Sequence, residues 1–317
     1  PRACHETMLS YTPTDKPKSI AIVGAGPAGL AYADVAAGRG HKVSLYDAAS
    51  EIGGQFNLAK QIPGKEEFFE TLRYFKRRIE VAGIDLNLNT AVSAQTLKDK
   101  GYDEVIVATG VAPRTPDIDG IDHEKVVGYI DAIKGLKPIG RKVAIMGAGG
   151  IGFDVAELIM HKGVSASQDI DTFAREWGID FKNHPRGGVT GVEPVVESAD
   201  REVVLLQRKT SPVGRGLGKT TGWTHRIALS RRGVKMVNGV DYVKIDDDGL
   251  HVLINNEPQV LDVDTIIVCA GQTPLRDLHD ALQQAGQNST LVGGAFEATE
   301  LDAKRAIKQA CELAAVV

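Results

Sequence analysis

At 317 residues the chain exceeds the size of most single domains, and two domains, each burying its own core, are expected. A net charge of −4 supplies no broad basic field, which excludes nucleic acid as an expected partner, and 43% hydrophobic with 25% charged residues is the composition of an ordinary globular fold. No apolar run approaches the roughly eighteen residues of a membrane helix and residues 1–18 hold no signal-peptide core, so a cytoplasmic protein with no membrane partner is expected.

Residues 1–18, with Pro13, Pro17 and many polar side chains, read as a linker cut from something longer. From Ser19 the grammar is strand, glycine turn, helix, strand: SIAIV, GAGPAG, LAYADVAAGRG, KVSLYD. Gly24 permits a tight turn, Gly26 leaves room for a pyrophosphate against the backbone, and Gly29 lets helix and strand pack closely, with Pro27 and Ala28 between them. The helix N-terminus then turns free N–H groups toward the phosphates. Asp47, eighteen residues beyond Gly29, is placed to accept hydrogen bonds from ribose hydroxyls. A glycine turn alone is weak evidence, but strand, turn, helix and acid coincide here. EIGGQF follows, and its Gly53, Gly54 and Gln55 either form a surface turn or admit an extended flavin; beside the elbow they lean toward FAD.

VIVATGVAPR at 105–114 and IIVCAGQTPLR at 266–276 echo one another, each a buried-strand run ending in Gly. The repeated layout predicts an α/β fold of two Rossmann-like dinucleotide-binding domains, three-layered, one inserted into the other. The FAD domain is expected to span 19–113 and 270–317 and the NADPH domain 114–269, with Thr109, Gly110 and Gly271 at the crossings. In the second domain KVAIM runs into Gly147, Gly149, Gly150 and Gly152 and an apolar helix, FDVAELIMH. Residues 161–201, rich in Gly, Ser and Asp with one helix-like piece, DTFAREWG, are expected to be an insertion.

The next strand, EVVLLQRK, ends in Gln207, Arg208 and Lys209 where an NAD site would carry an acid. A carboxylate there repels the 2′-phosphate of NADP, whereas Arg208 forks onto it, so NADPH is favoured over NADH; the alternative is a solvated strand end. Arg215 and Lys219 in GRGLGKTTG either reach phosphate or keep a glycine loop soluble. Trp177 and Trp223 are expected to pack rather than stack on a cofactor, and His225 and His251 have no partner at catalytic spacing. Cys4, Cys269 and Cys311 form neither a CxxC pair nor a metal-ligand spacing, so no metal site and no dithiol are expected. Hydride passage between cofactors needs no protein nucleophile, and no catalytic side chain is assigned.

The strings PRACHET, GAGPAGLA, EIGGQFNLAKQIPGKEEF, GGIGFD, LQRK, GLGKTTGW, GVKM, KIDDDGLHV and ELDAKRAI resemble bacterial NADPH-dependent 2,4-dienoyl-CoA reductases, iron–sulfur flavoproteins related to old yellow enzyme. The resemblance covers essentially the whole chain and corresponds to the C-terminal part of that family. It implies a partner on the same polypeptide, an N-terminal barrel with FMN and a four-cysteine [4Fe-4S] cluster that reduces the dienoyl thioester in β-oxidation of unsaturated fatty acids. It further implies that Ala28, Asp47, Gln55 and Lys65 contact FAD, that Val92 meets the adenine through its backbone, and that Thr109 and Gly110 lie near the cofactor. Cys4 would lie beside the cluster without binding it. One departure is GGAFEA at 293–298, where Ala295 replaces the Asp that such flavoproteins place against the ribityl chain. A stand-alone NADPH:ferredoxin-type reductase and a cofactor-binding scaffold without turnover are the other readings.

Overall fold

The computed structural model describes residues 7–183, 191–299 and 302–317, and Cys4 lies outside the described residues. The chain divides into two compact units, the first made of residues up to Ala59, Glu67–Ala112 and Gln272–Val317, the second of Lys60–Glu66 and Pro113–Gly271.

Unit 1 opens with β1 (Ser19–Val23), α1 (Pro27–Gly38), β2 (Lys42–Tyr46), α2 (Phe56–Ala59), α3 (Phe68–Ala82), β3 (Asp85–Asn87), α4 (Ala94–Lys100), β4 (Glu104–Val107) and β5 (Val111–Pro113). Unit 2 supplies β6 (Val126–Gly128), α5 (Tyr129–Lys134), β7 (Lys142–Met146), α6 (Gly150–Met160), α7 (Ile170–Trp177), β8 (Glu202–Leu206), α8 (Gly222–Arg231), β9 (Lys235–Val237), β10 (Val240–Asp246), β11 (Gly249–Ile254), β12 (Glu257–Leu261) and β13 (Thr265–Val268). The chain then returns to unit 1 with β14 (Gln272–Pro274), α9 (Asp277–Gln284), β15 (Thr290–Leu291) and α10 (Ala303–Ala314).

In unit 1 the parallel sheet runs β15-β4-β1-β2-β3. Alternation along β1 builds three layers. Ile20 and Ile22 face a core closed by α1, α3 and α10, while Ala21 and Val23 face Leu97 of α4 and Leu282 of α9. With both faces covered beyond the half-buried Ser19, the strand has no further polar position to spare, which is why residues 20–23, IAIV, read as an unbroken apolar run.

Unit 2 repeats the plan with a parallel sheet ordered β6-β13-β7-β8-β9. Its third layer differs: Ala144, Met146 and Ile266 pack against Val240, Ile245, Leu250 and Val252 of the antiparallel β10-β11-β12 sheet, where unit 1 uses helices. The expected helix DTFAREWG is α7, begun by Asp169, whose carboxylate accepts the Thr172 N–H at 2.7 Å.

Two sequence expectations shift. Residues 60–66, expected within the FAD domain, cluster with unit 2, because Lys65 pairs with Asp154 at 2.5 Å, Ser167 donates to Glu66 at 2.5 Å and Ile62 is fully buried. The strand expected to end in Gln207, Arg208 and Lys209 stops at Leu206, because the Gln207 side chain folds back onto the backbone that follows. Among the described residues no helix is long and apolar enough to cross a membrane.

Candidate dinucleotide sites

Both parallel sheets reverse their order of winding beside the strand that runs into the glycine elbow, β1 between β2 and β4 and β7 between β8 and β13. Such a switch point opens a crevice at the carboxyl ends of the strands, and both glycine elbows sit there. In unit 1 Gly24 has φ +111°, donates to Tyr46 O at 2.8 Å, and leaves no room for a side chain, since a Cβ would fall 2.2 Å from Ala108 O. Gly29 is equally constrained: its Cβ would lie 1.8 Å from Gly24 O. Unit 2 reproduces this geometry. Gly147 has φ +108°, donates to Leu206 O at 3.0 Å, and would place a Cβ 2.4 Å from Cys269 O, while Gly152 would place one 1.9 Å from Gly147 O.

The middle glycines differ in kind. Gly26 and Gly149 have φ of −80° and −83°, values open to any residue. A Cβ at Gly149 or at Gly150 meets no protein atom within 4 Å, and one at Gly26 meets only Gly54 Cα at 3.9 Å. Protein packing therefore requires glycine at 24, 29, 147 and 152 but not at 26 or 149. The space left there suits a group that must approach the backbone. Gly26 and Gly149 are the N-caps of α1 and α6, with no side chain capping either helix, so first-turn N–H groups remain available to an anion.

Around the first elbow, Asp47 follows β2 and accepts the Ala25 N–H at 2.7 Å and the Ala49 N–H at 2.8 Å. The carboxylate thus braces the elbow and keeps lone pairs for a ribose. Gly53 donates to Ala25 O at 2.8 Å, and Gly54, at φ +51°, would bring a Cβ to 3.0 Å from Gly26 Cα. These contacts place Gly54 and Gln55 beside Gly26, Pro27 and Ala28. Thr90 donates to Asp47 O at 2.9 Å, which brings the Val92 segment to the same strand end. Thr109 Oγ1 donates to Leu275 O at 2.7 Å and Gly110, at φ +77°, accepts the Leu275 N–H at 3.0 Å, fixing the crossing after β4. Gly293 packs on Ala28, where a Cβ would lie 2.7 Å from the alanine methyl, so the turn holding Ala295 lies against the start of α1.

Around the second elbow the acid is replaced by a braced basic turn. Gln207 Nε2 donates to Ser211 O at 2.6 Å and Asn238 Nδ2 to Thr210 O at 2.7 Å, while Arg208 and Lys209 project into solvent and make no ion pair among the described residues. Lys219 is exposed in the loop before α8, also without an ion pair among them. Gly271, at φ +99°, follows Ala270, whose carbonyl accepts both Nε and Nη2 of Arg114.

Lys65 is held by Asp154 of α6, a pairing across 89 residues that spacing does not reveal. His225 and His251, for which the sequence offers no partner at catalytic spacing, each meet a carboxylate: His225 Nδ1 lies 2.6 Å from Glu157 Oε1 and His251 Nε2 lies 2.7 Å from Asp246 Oδ1. Trp177 packs edge-to-face on Trp223 at 6.2 Å, with Arg231 over its ring. Cys269 and Cys311 are free and buried, and burial pushes the Cys269 thiol far above the usual range.

The model of the pyridine nucleotide-disulphide oxidoreductase family matches residues 18–294. A metal reductase of Desulforamulus reducens is 27% identical over 93% of this chain and 43% of its own length. A cinnamate reductase of Clostridium sporogenes is 26% identical over 93% of this chain and 39% of its own. The solved complex of 2-naphthoyl-CoA reductase with 2-naphthoyl-CoA aligns with a TM-score of 0.79 at 25% identity, over 97% of this chain and 41% of that one. The chain spans less than half the length of these relatives.

Proposed function

Because the chain belongs to the pyridine nucleotide-disulphide oxidoreductase family, as a flavin-dependent pyridine nucleotide oxidoreductase module, we propose that it takes hydride from NADPH onto FAD and passes electrons to an FMN and [4Fe-4S] centre that reduces 2,4-dienoyl-CoA. The observation that carries this reading is the pair of glycines, Gly26 and Gly149, that packing does not require and that open two helix N-termini to phosphate. FAD, when bound, supplies a carrier that accepts a hydride and releases electrons singly. Gly26 and the α1 N-terminus hold its pyrophosphate and Asp47 its adenosine ribose, with Gly54 and Gln55 alongside. In unit 2, Gly149 and the α6 N-terminus take the nicotinamide dinucleotide, and Arg208 with Lys209 takes the 2′-phosphate.

That Cys269 and Cys311 are each free and buried supports an electron outlet other than a dithiol. Relatives of more than twice this length are consistent with an additional acceptor domain, and one of them is a 2-naphthoyl-CoA reductase, whose substrate shares with a dienoyl-CoA the CoA thioester. The barrel, its cluster and the β-oxidation setting belong to this proposal. With NADPH, the isolated chain is expected to reduce ferricyanide but not 2,4-dienoyl-CoA, while the full gene product reduces both. Reduction of the dienoyl thioester by the isolated chain, or a full product inert toward it yet rapid with ferredoxin, contradicts the assignment.

A further inference from the structure

Four titratable side chains gather on α6 away from the elbow itself. Asp154 holds Lys65 at 2.5 Å, and Glu157, one turn on, holds Nδ1 of the half-buried His225 at 2.6 Å. His225 lies in the first turns of α8, directly after the loop 214–222 that carries Arg215 and Lys219. The near end of that loop is pinned as well. Arg226 Nη1 donates to Gly214 O at 3.1 Å, and Gly214 lies against the Phe153 ring, where a Cβ would be 2.9 Å away. The loop is thus fastened to the elbow helix at one end through Phe153 and at the other through the Glu157–His225 bond, while its two cations stay exposed without an ion pair among the described residues.

We propose that His225 is a positioning residue for the pyridine nucleotide, holding the Arg215/Lys219 loop toward the NADPH phosphates through its bond to Glu157. This rests on the assignment of NADPH to unit 2. The tie is strongest when His225 is charged. Glu157 raises its ionisation range, burial and Lys65 oppose that, and Asp154 adds to it, with the net direction upward from the ordinary value near 6.5. A raised value in the assembled state means that the extra attachment is fully present below pH 6.5 and fades as pH climbs through the raised value.

The test is the NADPH dissociation constant of wild type, His225→Gln and Glu157→Gln, measured calorimetrically between about pH 5.5 and 8.5, with thermal melts to confirm folding. The nucleotide's own 2′-phosphate titration is common to all three and cancels in the ratio of variant to wild type. That ratio is expected to be about ten at the acidic end and to fall toward one at the alkaline end, the loss of one charge-assisted tie. Glu157→Gln, which keeps a hydrogen-bond acceptor but no charge, should give the same slope. A ratio that is flat in pH, with normal wild-type binding, overturns the role of His225 alone. Wild-type protein that binds no NADPH at any pH overturns the assignment beneath it as well.

Discussion

Gly149→Val is expected to leave unit 2 folded, with its melting temperature lowered only by the small cost of a poorer N-cap residue, and to weaken NADPH binding by about a hundredfold or more, the equivalent of roughly 3 kcal/mol. The backbone there, at φ −83° and ψ −173°, suits a β-branched residue, and a Cβ at that point meets no protein atom within 4 Å. The space the new methyl groups would enter is the space a pyrophosphate needs at the α6 N-terminus. Gly152→Ala is the opposite case. Its Cβ would lie 1.9 Å from Gly147 O, a backbone atom that cannot move without dragging the elbow from Leu206. Overpacking of this kind costs about 3 kcal/mol or more and should appear as a lowered melting temperature rather than as a selective binding defect. Calorimetric binding paired with thermal melts separates the two effects. Equal loss of stability in both variants would mean that position 149 is glycine for the protein's own packing.

Arg208→Ala is expected to weaken NADPH about ten- to hundredfold while NADH binding changes little, because the lost interaction is a charge-assisted bond of roughly 1.5–3 kcal/mol to the 2′-phosphate alone. The guanidinium is exposed and makes no ion pair among the described residues, and the turn carrying it is held by Gln207 and Asn238, so the substitution removes a contact without loosening the fold. Steady-state kinetics with both nucleotides give the readout. Equal loss for NADPH and NADH contradicts a role in phosphate recognition.

Much of the elbow geometry was legible because it is local. The three-glycine elbows, the strand before each and the acid after β2 lie on short stretches of chain, whereas the basic turn after β8 follows an insertion, and steric demands at Gly24, Gly29, Gly147 and Gly152 leave no other residue possible. The sign of charge after β8 was equally plain, although the strand ends before the basic residues because Gln207 turns the backbone there. Pairings through space were not legible. His225 and Glu157 are 68 residues apart, and Lys65 and Asp154 are 89 apart, so neither spacing nor periodicity announces them. The same long-range ties explain why residues 60–66 join unit 2 against the expectation from chain order. The antiparallel layer of unit 2 was hidden for a different reason: β12 is exposed along most of its length and β10 buries only Val240 and Ile245 fully, so neither carries a regular apolar alternation, whereas the buried runs around the elbows announce themselves.

Anaerobic rapid mixing of the FAD-loaded protein with NADPH, followed by the flavin's visible absorbance, tests most directly whether one chain seats both nucleotides for transfer. Prompt bleaching by NADPH, far slower bleaching by NADH, and stoichiometric formation of NADP⁺ are the predicted result. Bound flavin that stays oxidised under excess NADPH would contradict it.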